Sequence, residues 1–508
     1  MKNLSPALAL LACLCFTTNI VAQTFSPNVD FATGVDPRAL AIGDLDGDSK
    51  PDIVVANLNS GTVSVFRNTS VIGTLTAASL APKVDFATGG GSPWAVALGD
   101  IDGDGKLDIV IARYSANRVS VFRNTSTIGS VSFAAMLDFT TGTQPNAISI
   151  SDIDGDGKLD VVVTNLSSLT ASVFRNTSSI GSVSFAAKVD ISTVNLQYGL
   201  ALGDIDGDTK PDVVIANAGS STISVYRNLS AIGSVFFGAI VDFPTGPHPY
   251  GVAMGDVDGD GKLDVVVADY SGSAISVLRN TSTIGSITTG TFAAKVDFTA
   301  GTRPISVALG DVDCDGKLDI AVVNEGSSTV SIFRNTSVTG SITTGSFAAK
   351  VDFATGTGPI GVALGDLDGV GGLDLAVTNY NAATLSLLRN STCALGSICG
   401  TKFNDVNGDS LRQTTEPGLA NWTISLTSMQ ATGPVTVTAT TDSLGNYCFN
   451  NLTAGTYTVE EATQTGWQQT FPASPGTYTV TLAAGQNAGN VDFGNKQLFG
   501  SICGTKFN

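Results

Sequence analysis

Apolar and polar positions over residues 24–390 recur in blocks rather than in one continuous helical or strand period. Each block opens with a short apolar run, passes through an aspartate-rich turn of pattern D-x-D-x-D-x-x-x-D, and continues into a Val/Ile-rich run. In the second block this predicts four strands, at residues 95–98 (a), 107–112 (b), 119–123 (c) and 133–139 (d). The b run is apolar at almost every position, which predicts a strand covered on both faces. The c run alternates through Val119, Ser120 and Val121, which predicts a half-buried strand. Long helical patterns are scarce, and 57 glycines favour a turn-rich all-β chain.

The aspartate turns begin at Asp44, Asp100, Asp152, Asp204, Asp256, Asp311 and Asp366, at spacings of 56, 52, 52, 52, 55 and 55 residues. That period suits a four-stranded propeller blade. The spacings of 55 arise where Ile-Thr-Thr-Gly (287–290 and 342–345) lengthens the c–d connection, so the insertions respect the strands. A lone d-type run, residues 25–31, precedes the first turn, and no d run follows the last c run, 385–389. Seven d strands match seven a-b-c triplets only if the first residues close the last unit, which is how a ring hides its free edges. The expectation is a seven-bladed β-propeller over 23–394.

In Asp100-Ile101-Asp102-Gly103-Asp104-Gly105-Lys106-Leu107-Asp108, carboxylates at positions 1, 3, 5 and 9 and the position-7 carbonyl form an oxygen cage for a hard divalent cation. The same four positions are Asp44, Asp46, Asp48 and Asp52 in the first turn, Asp152, Asp154, Asp156 and Asp160 in the third, and Asp204, Asp206, Asp208 and Asp212 in the fourth. They are Asp256, Asp258, Asp260 and Asp264 in the fifth, and Asp311, Asp313, Asp315 and Asp319 in the sixth. The seventh keeps Asp366, Asp368 and Asp374 but has Val370 at the third ligand position, which predicts a weak or empty site. Ser49 and Thr209 stand where Gly105 eases the turn, and Cys314 replaces a glycine between ligands. Without an ion, two carboxylates near 4 Å repel by about 4 kcal/mol at a surface-like dielectric. These turns hold more than half of the 44 acidic residues, and the formal charge of −18 is theirs, since the remainder of the chain is net positive. Such a balance argues against nucleic acid.

The turns, the preceding Leu98-Gly99-Asp100 and the apolar run after the last aspartate resemble the FG-GAP/VCBS repeats of integrin α-subunit propellers and of many bacterial surface proteins. The resemblance implies the propeller fold and about six or seven Ca²⁺ ions as fixtures. Sites of this extracellular kind bind at about 10⁻⁴–10⁻³ M or somewhat tighter. It leaves the ligand open, because relatives bind proteins, bind sugars or decorate enzymes.

From about Leu395 the pattern changes. Gly400-Thr401-Lys402-Phe403-Asn404-Asp405, Glu416-Pro417-Gly418-Leu419 and Ala454-Gly455-Thr456-Tyr457-Thr458-Val459-Glu460 resemble an SdrD B-like (Cna-B-related) β-sandwich, assigned to 395–497. Asp405, Asn407, Asp409 and Glu416 fall at positions 1, 3, 5 and 12 of an EF-hand-like loop, a further Ca²⁺ candidate. Related modules of the Cna-B type sometimes cross-link a Lys to an Asn. Lys402, Glu460 and Asn495 stand near such positions, although the residues alone read as an ordinary surface lysine. Residues 501–508 repeat 397–404 letter for letter, so 498–508 is expected to begin a second, truncated module. Cys399 and Cys448 are candidates for a bond within the first module.

Lys2, the apolar run 7–16 and Val21-Ala22 before Gln23 read as an export signal over 1–22. Leu10-Leu11-Ala12-Cys13 resembles a lipoprotein box, which would exchange secreted for anchored. No run is long enough to span a bilayer as a helix.

In an a-b-c-d meander the b–c and d–a loops share the face opposite the aspartate turns. Candidate ligand-binding residues there are Trp94, Tyr114, Tyr198, His248, Tyr250, Tyr270 and Tyr380, amphipathic rings suited to sugar or protein recognition. The Arg-Asn pair ending each c run (Arg67-Asn68, Arg123-Asn124 and onward) reads as a structural tie from Arg to carbonyls or carboxylates. The leading expectation is an extracellular or surface-attached adhesion module that binds a glycan or protein, acting as a monomeric propeller within a longer chain. The alternatives are a polysaccharide-active enzyme, for which Asp269 with Glu325 is the candidate acid pair, and a passive stalk.

Overall fold

Every regular element is a β-strand in the computed structural model, which describes residues 25–392, 396–430, 433–452, 455–482 and 485–498. The segment assigned to export, the repeated phrase 501–508, Cys393 and Cys503 lie outside these residues. In the second repeat, strand Asp108–Arg113 (b) is buried at all six positions. It pairs antiparallel with Pro93–Gly99 (a) on one side and with Arg118–Phe122 (c) on the other, and c pairs with Leu137–Thr140 (d). Seven four-stranded sheets repeat this order.

In the sheet of the last repeat the outer strand comes from the front of the chain. Val29–Ala32 pairs with Thr384–Leu388, Val29 facing Leu387 and Ala32 facing Thr384, and Phe25 bridges Asn390. The a strands of neighbouring sheets touch one another all the way round, strand Pro359–Gly365 returning to Pro37–Gly43. The array is therefore propeller-like, with a strands innermost and d strands outermost.

Two details differ from the sequence pattern. The d run is interrupted, because Phe133 bridges Asn124 and regular pairing resumes only at Leu137 opposite Val121. Three residues there face two, which is a bulge. The c strand is also buried from its second residue onward, Ser120 included. Its hydroxyl does not seek water. It donates to Asp138 on the d strand at 2.6 Å. Ser64, Ser172, Ser224, Ser276, Ser331 and Ser386 donate likewise to Asp85, Asp190, Asp242, Asp297, Asp352 and Asp30. In five repeats an Asn at the end of b, such as Asn57, donates to the same hydroxyl, so a polar ladder crosses each sheet.

The repeats are joined by the Asn of the Arg-Asn pair. Asn124 Nδ2 reaches the Leu45 carbonyl of the preceding aspartate turn at 2.9 Å, and Asn176, Asn228, Asn280, Asn335 and Asn390 do the same to Ile101, Ile153, Ile205, Val257 and Val312. Asn68 closes the circle by donating to Leu367 of the last repeat. These side chains are buried, which removes Asn68-Thr69-Ser70 and its counterparts as glycan acceptors in the folded chain.

The tail forms two sheets. One contains Gly396–Asn404 between Asn446–Leu452 and Phe493–Gln497, and the other contains Thr423–Gln430 between Gly433–Thr440 and Gly455–Glu461. Ile398, Trp422, Val459 and Phe493 fill the space between them. Cys399 and Cys448 face each other across paired strands and are disulfide-bonded.

Candidate functional site

Each aspartate turn is shaped by its own carboxylates. Asp44 Oδ1 accepts the Gly47 and Asp48 amides and its Oδ2 accepts Ser49, which winds the turn into a tight loop. Ser49 and Thr209 take up the left-handed conformation (φ 69° and 73°) that Gly105 occupies at 86° in the second loop. The ninth residue is the anchor. Asp52 is buried, with one oxygen accepting Leu45 N–H inside the loop and the other accepting Asn68 N–H at the end of strand c. Asp108, Asp160, Asp212, Asp264, Asp319 and Asp374 make the same two bonds.

Carboxylate oxygens of Asp100, Asp102 and Asp108 lie within 4.8 Å of one another, as do those of Asp44, Asp46 and Asp48 and of three further turns. Burial, with neighbouring carboxylates adding to it, pushes Asp52, Asp108 and Asp160 up to about 6 and Asp212, Asp264, Asp319 and Asp374 up to about 7. Asp206 Oδ1 and Asp258 Oδ1 are buried without a hydrogen-bond partner. Crowded carboxylates with orphaned oxygens fit a hard divalent cation. The Arg of each Arg-Asn pair leans on the third position of its own loop. Arg67, Arg123, Arg175 and Arg334 stand 3.7–3.9 Å from Asp46, Asp102, Asp154 and Asp313, whereas Arg227, Arg279 and Arg389 bond Asp206, Asp258 and Asp368 directly.

The c–d connection of the next repeat covers six of the seven loops. Gly129, Gly181 and Gly233 N–H donate to the carboxylates of Asp46, Asp102 and Asp154. Where the connection is longer, Gly73, Gly285 and Gly340 donate instead to the backbone carbonyls of Asp368, Asp206 and Asp258, and there the Arg takes the carboxylate. Insertion length thus selects between two ways of sealing the loop.

In the tail, Asp405 accepts the Gly408, Asp409 and Ser410 amides, and Glu416 folds back to accept Val406 and Gln413 N–H. Asn407 and Asp409 lie between them on the same loop and are hydrogen-bonded to each other.

On the opposite face six of the seven predicted aromatic residues gather in two clusters, and Tyr380 lines the cavity beside the larger one. Trp94 stacks on Tyr114 with centroids 4.5 Å apart. Tyr198 stacks on Tyr250 at 4.0 Å, and His248 and Tyr270 lie 6.2 and 5.6 Å from Tyr250. Arg38 joins the clusters, its guanidinium 3.5 Å from the Trp94 ring centre and 5.9 Å from that of Tyr380. A cavity of about 360 Å³ lies among Arg38, Tyr198, His248, Tyr250, Tyr270 and Tyr380. The residue entering each a strand is left-handed, and six repeats place a side chain there, including His248 (φ 60°) and Arg303 (φ 56°), where Gly358 alone avoids the strain.

Asp269 does not form an acid pair with Glu325. It stands where other repeats carry the ladder Asn, buried beneath Ser276, whose hydroxyl lies 2.7 Å from it. Glu325 instead accepts the Tyr270 hydroxyl at 2.8 Å. Arg113 also belongs to the scaffold, bonded to both oxygens of Asp138.

Lys402 is not a surface lysine. Its side chain is fully buried, with Nζ bonded to the Glu461 carboxylate and the Asn495 amide oxygen and 4.5 Å from the centre of the Trp422 ring. The acid is Glu461 rather than Glu460, since alternation along Gly455–Glu461 puts Tyr457, Val459 and Glu461 on the inner face. Burial pulls Lys402 down to about 8 and pushes Glu461 up.

An FG-GAP-like repeat model matches at 44–111, 100–163, 152–215, 204–267, 256–322 and 315–377, together about two thirds of the chain. An SdrD B-like domain model matches at 396–495. No curated protein matches the chain. Solved structures similar to it include BBS1N in complex with ARL6DN, soaked with lead, at 10% identity and TM-score 0.48, covering 72% of this chain and 96% of that one. Another is a functionally unknown protein from Desulfotomaculum acetoxidans DSM 771, at 15% identity and TM-score 0.42, covering 63% and 90%.

Burial pushes Asp269 up to about 7, so the folded state holds its proton over a range where the unfolded chain has lost it. Stability from this group therefore falls as pH rises from about 4 to about 7. Asp269→Asn restores the ladder donor and does not titrate. Thermal melts should show it more stable than the parent by about 1–3 kcal/mol at pH 8, with the gain shrinking towards pH 4.

Proposed function

The chain belongs to the FG-GAP-like repeat family, and from that footing we propose an extracellular adhesion module whose Ca²⁺-filled loops hold a seven-bladed propeller rigid while its opposite face takes a glycan. The propeller spans 23–394, the sandwich 395–497, and 498–508 opens a second module. The observation that carries this reading is the separation of chemistries, with clustered carboxylates on one face and gathered aromatic rings around a cavity on the other. Six loops have the full ligand set, Val370 weakens the seventh, and the Asp405–Glu416 loop adds one in the sandwich. The module types are those of extracellular adhesion-type proteins, and among the described residues no helix is long and apolar enough to cross a membrane. Against a catalytic role, Asp269 is occupied in the scaffold. The full chain on a glycan array in millimolar calcium should give saturable binding that chelator abolishes and Tyr250→Ala weakens at least about tenfold. A folded, calcium-loaded protein that binds no glycan contradicts the proposal.

For the sandwich we infer a covalent brace. Transfer of the Lys402 proton to Glu461, favoured by the burial of both groups, frees the amine to attack Cγ of Asn495. The Nζ–Cγ bond forms, the Cγ–Nδ2 bond breaks, and Glu461 relays the amine proton to the departing ammonia. The residues lie on Gly396–Asn404 and Phe493–Gln497, parallel neighbours at the two ends of the module, so the bond would carry tension past its core. Intact mass of the reduced protein should fall one ammonia below the sequence mass, and Lys402→Ala, Asn495→Ala and Glu461→Ala should each restore the uncross-linked mass. A parent protein at full sequence mass contradicts the inference.

A further inference from the structure

The second residue of each a strand faces the mouth of the central channel. Round the ring these residues are Arg38, Trp94, Asn146, Tyr198, Tyr250, Ile305 and Ile360. Arg38 is the only charged member. A second cavity, of about 210 Å³, adjoins the first, with Arg38, Tyr250, Ile305 and Ile360 lining both, so the guanidinium sits where the two meet.

The surroundings of that guanidinium are unusual for a half-buried cation. No carboxylate among the described residues pairs with it, whereas each arginine that ends a c strand on the opposite, aspartate-loop face has one. Its neighbours are the Trp94 and Tyr380 rings and the hydroxyl of Tyr250. Two nearby carboxylates, of which Glu325 lines the first cavity, have partners of their own. Glu325 accepts from Tyr270, and Asp36 accepts from Asn59. A guanidinium offers five donors in a planar fork matched to a carboxylate, and rings hold it without consuming those donors.

We propose that this mouth binds a saccharide bearing a carboxylate, of the uronic-acid class, with Arg38 taking the carboxylate and the surrounding rings taking the sugar. The inference rests on the glycan-binding reading and gives its ligand a chemistry. A sugar suits the walls better than an acidic peptide does. Six of the seven a strands that build the mouth begin in proline, Gln197 opening the seventh, so backbone N–H groups for pairing a peptide strand are missing at Pro37, Pro93, Pro145, Pro249, Pro304 and Pro359. Tyrosine hydroxyls and ring faces, by contrast, suit the alternating hydroxyl and C–H surfaces of a pyranose. A volume near 360 Å³ is at the small end for a ligand pocket, enough for a terminal unit while the remaining sugars lie across the face.

The test is calorimetric titration of the full calcium-loaded chain with oligogalacturonate, alginate and hyaluronan oligomers, with their carboxyl-reduced neutral counterparts, and with an oligoglutamate peptide. At least one uronate oligomer should bind saturably, and its neutral counterpart at least about tenfold more weakly. Arg38→Gln should lose at least about tenfold for the acidic sugar, with the neutral one unchanged and the melting temperature retained; Arg38→Lys should fall between. If Arg38→Gln does not fold, the acidic-to-neutral ratio in the parent chain decides. Equal binding of acidic and neutral sugars would overturn this inference and leave the glycan reading standing. No sugar binding at all would overturn both, and binding of the peptide alone would place the ligand in another class.

Discussion

The ninth carboxylate of each aspartate loop is the constraint on which the ring depends. In Asp212 one oxygen holds the Ile205 amide inside the loop and the other holds the Asn228 amide at the end of strand c. Asn228 then spends its side chain on the Ile153 carbonyl of the preceding loop. A buried charge is costly unless its hydrogen bonds are satisfied, and here satisfying them fixes the a–b loop, the c strand and the neighbouring sheet in one step. The apolar b strands fill the sheets, but a run apolar on both faces loses little by slipping one residue and so specifies register weakly. The Asp–Asn chain sets it, seven times, with Asn68 to Leu367 as the closing link.

The same residue connects scaffold to chemistry. Because the ninth carboxylate is buried among other carboxylates, the loop favours either a proton or a cation there, and a divalent ion satisfies several oxygens at once. With the loop face committed to holding the ring together, variation is free to accumulate at the other end of the a strands. Arg38, Trp94, Asn146 and Tyr198 share one register position there and have nothing in common chemically.

Much of this was legible in the chain. The missing d run after residue 389 foretold that Val29–Ala32 would complete the last sheet, because strand counts must balance in a ring. All seven aromatic candidates lie on one face for a similar reason, since loop order fixes it. The Arg of each Arg-Asn pair reaches loop carboxylates, as its recurrence suggested, but the link between repeats is made by the neighbouring Asn, whose burial is a tertiary fact. Ser120 read as solvent-facing because alternation cannot distinguish water from a buried Asp138. Arg38 was missed although aligning the a strands by their second residue would have found it. Lys402 was misjudged for want of any pattern that marks a buried amine, yet alternation through Tyr457 and Val459 already selects Glu461 over Glu460.

The account stands most directly on whether the aspartate loops hold ions. Crystals grown in calcium and measured for anomalous scattering would count and place them. The account predicts peaks in the six complete loops, each coordinated by the first, third, fifth and ninth positions, and a weak or absent peak beside Val370. Loops filled only by water, with the ring intact in chelator, would contradict it.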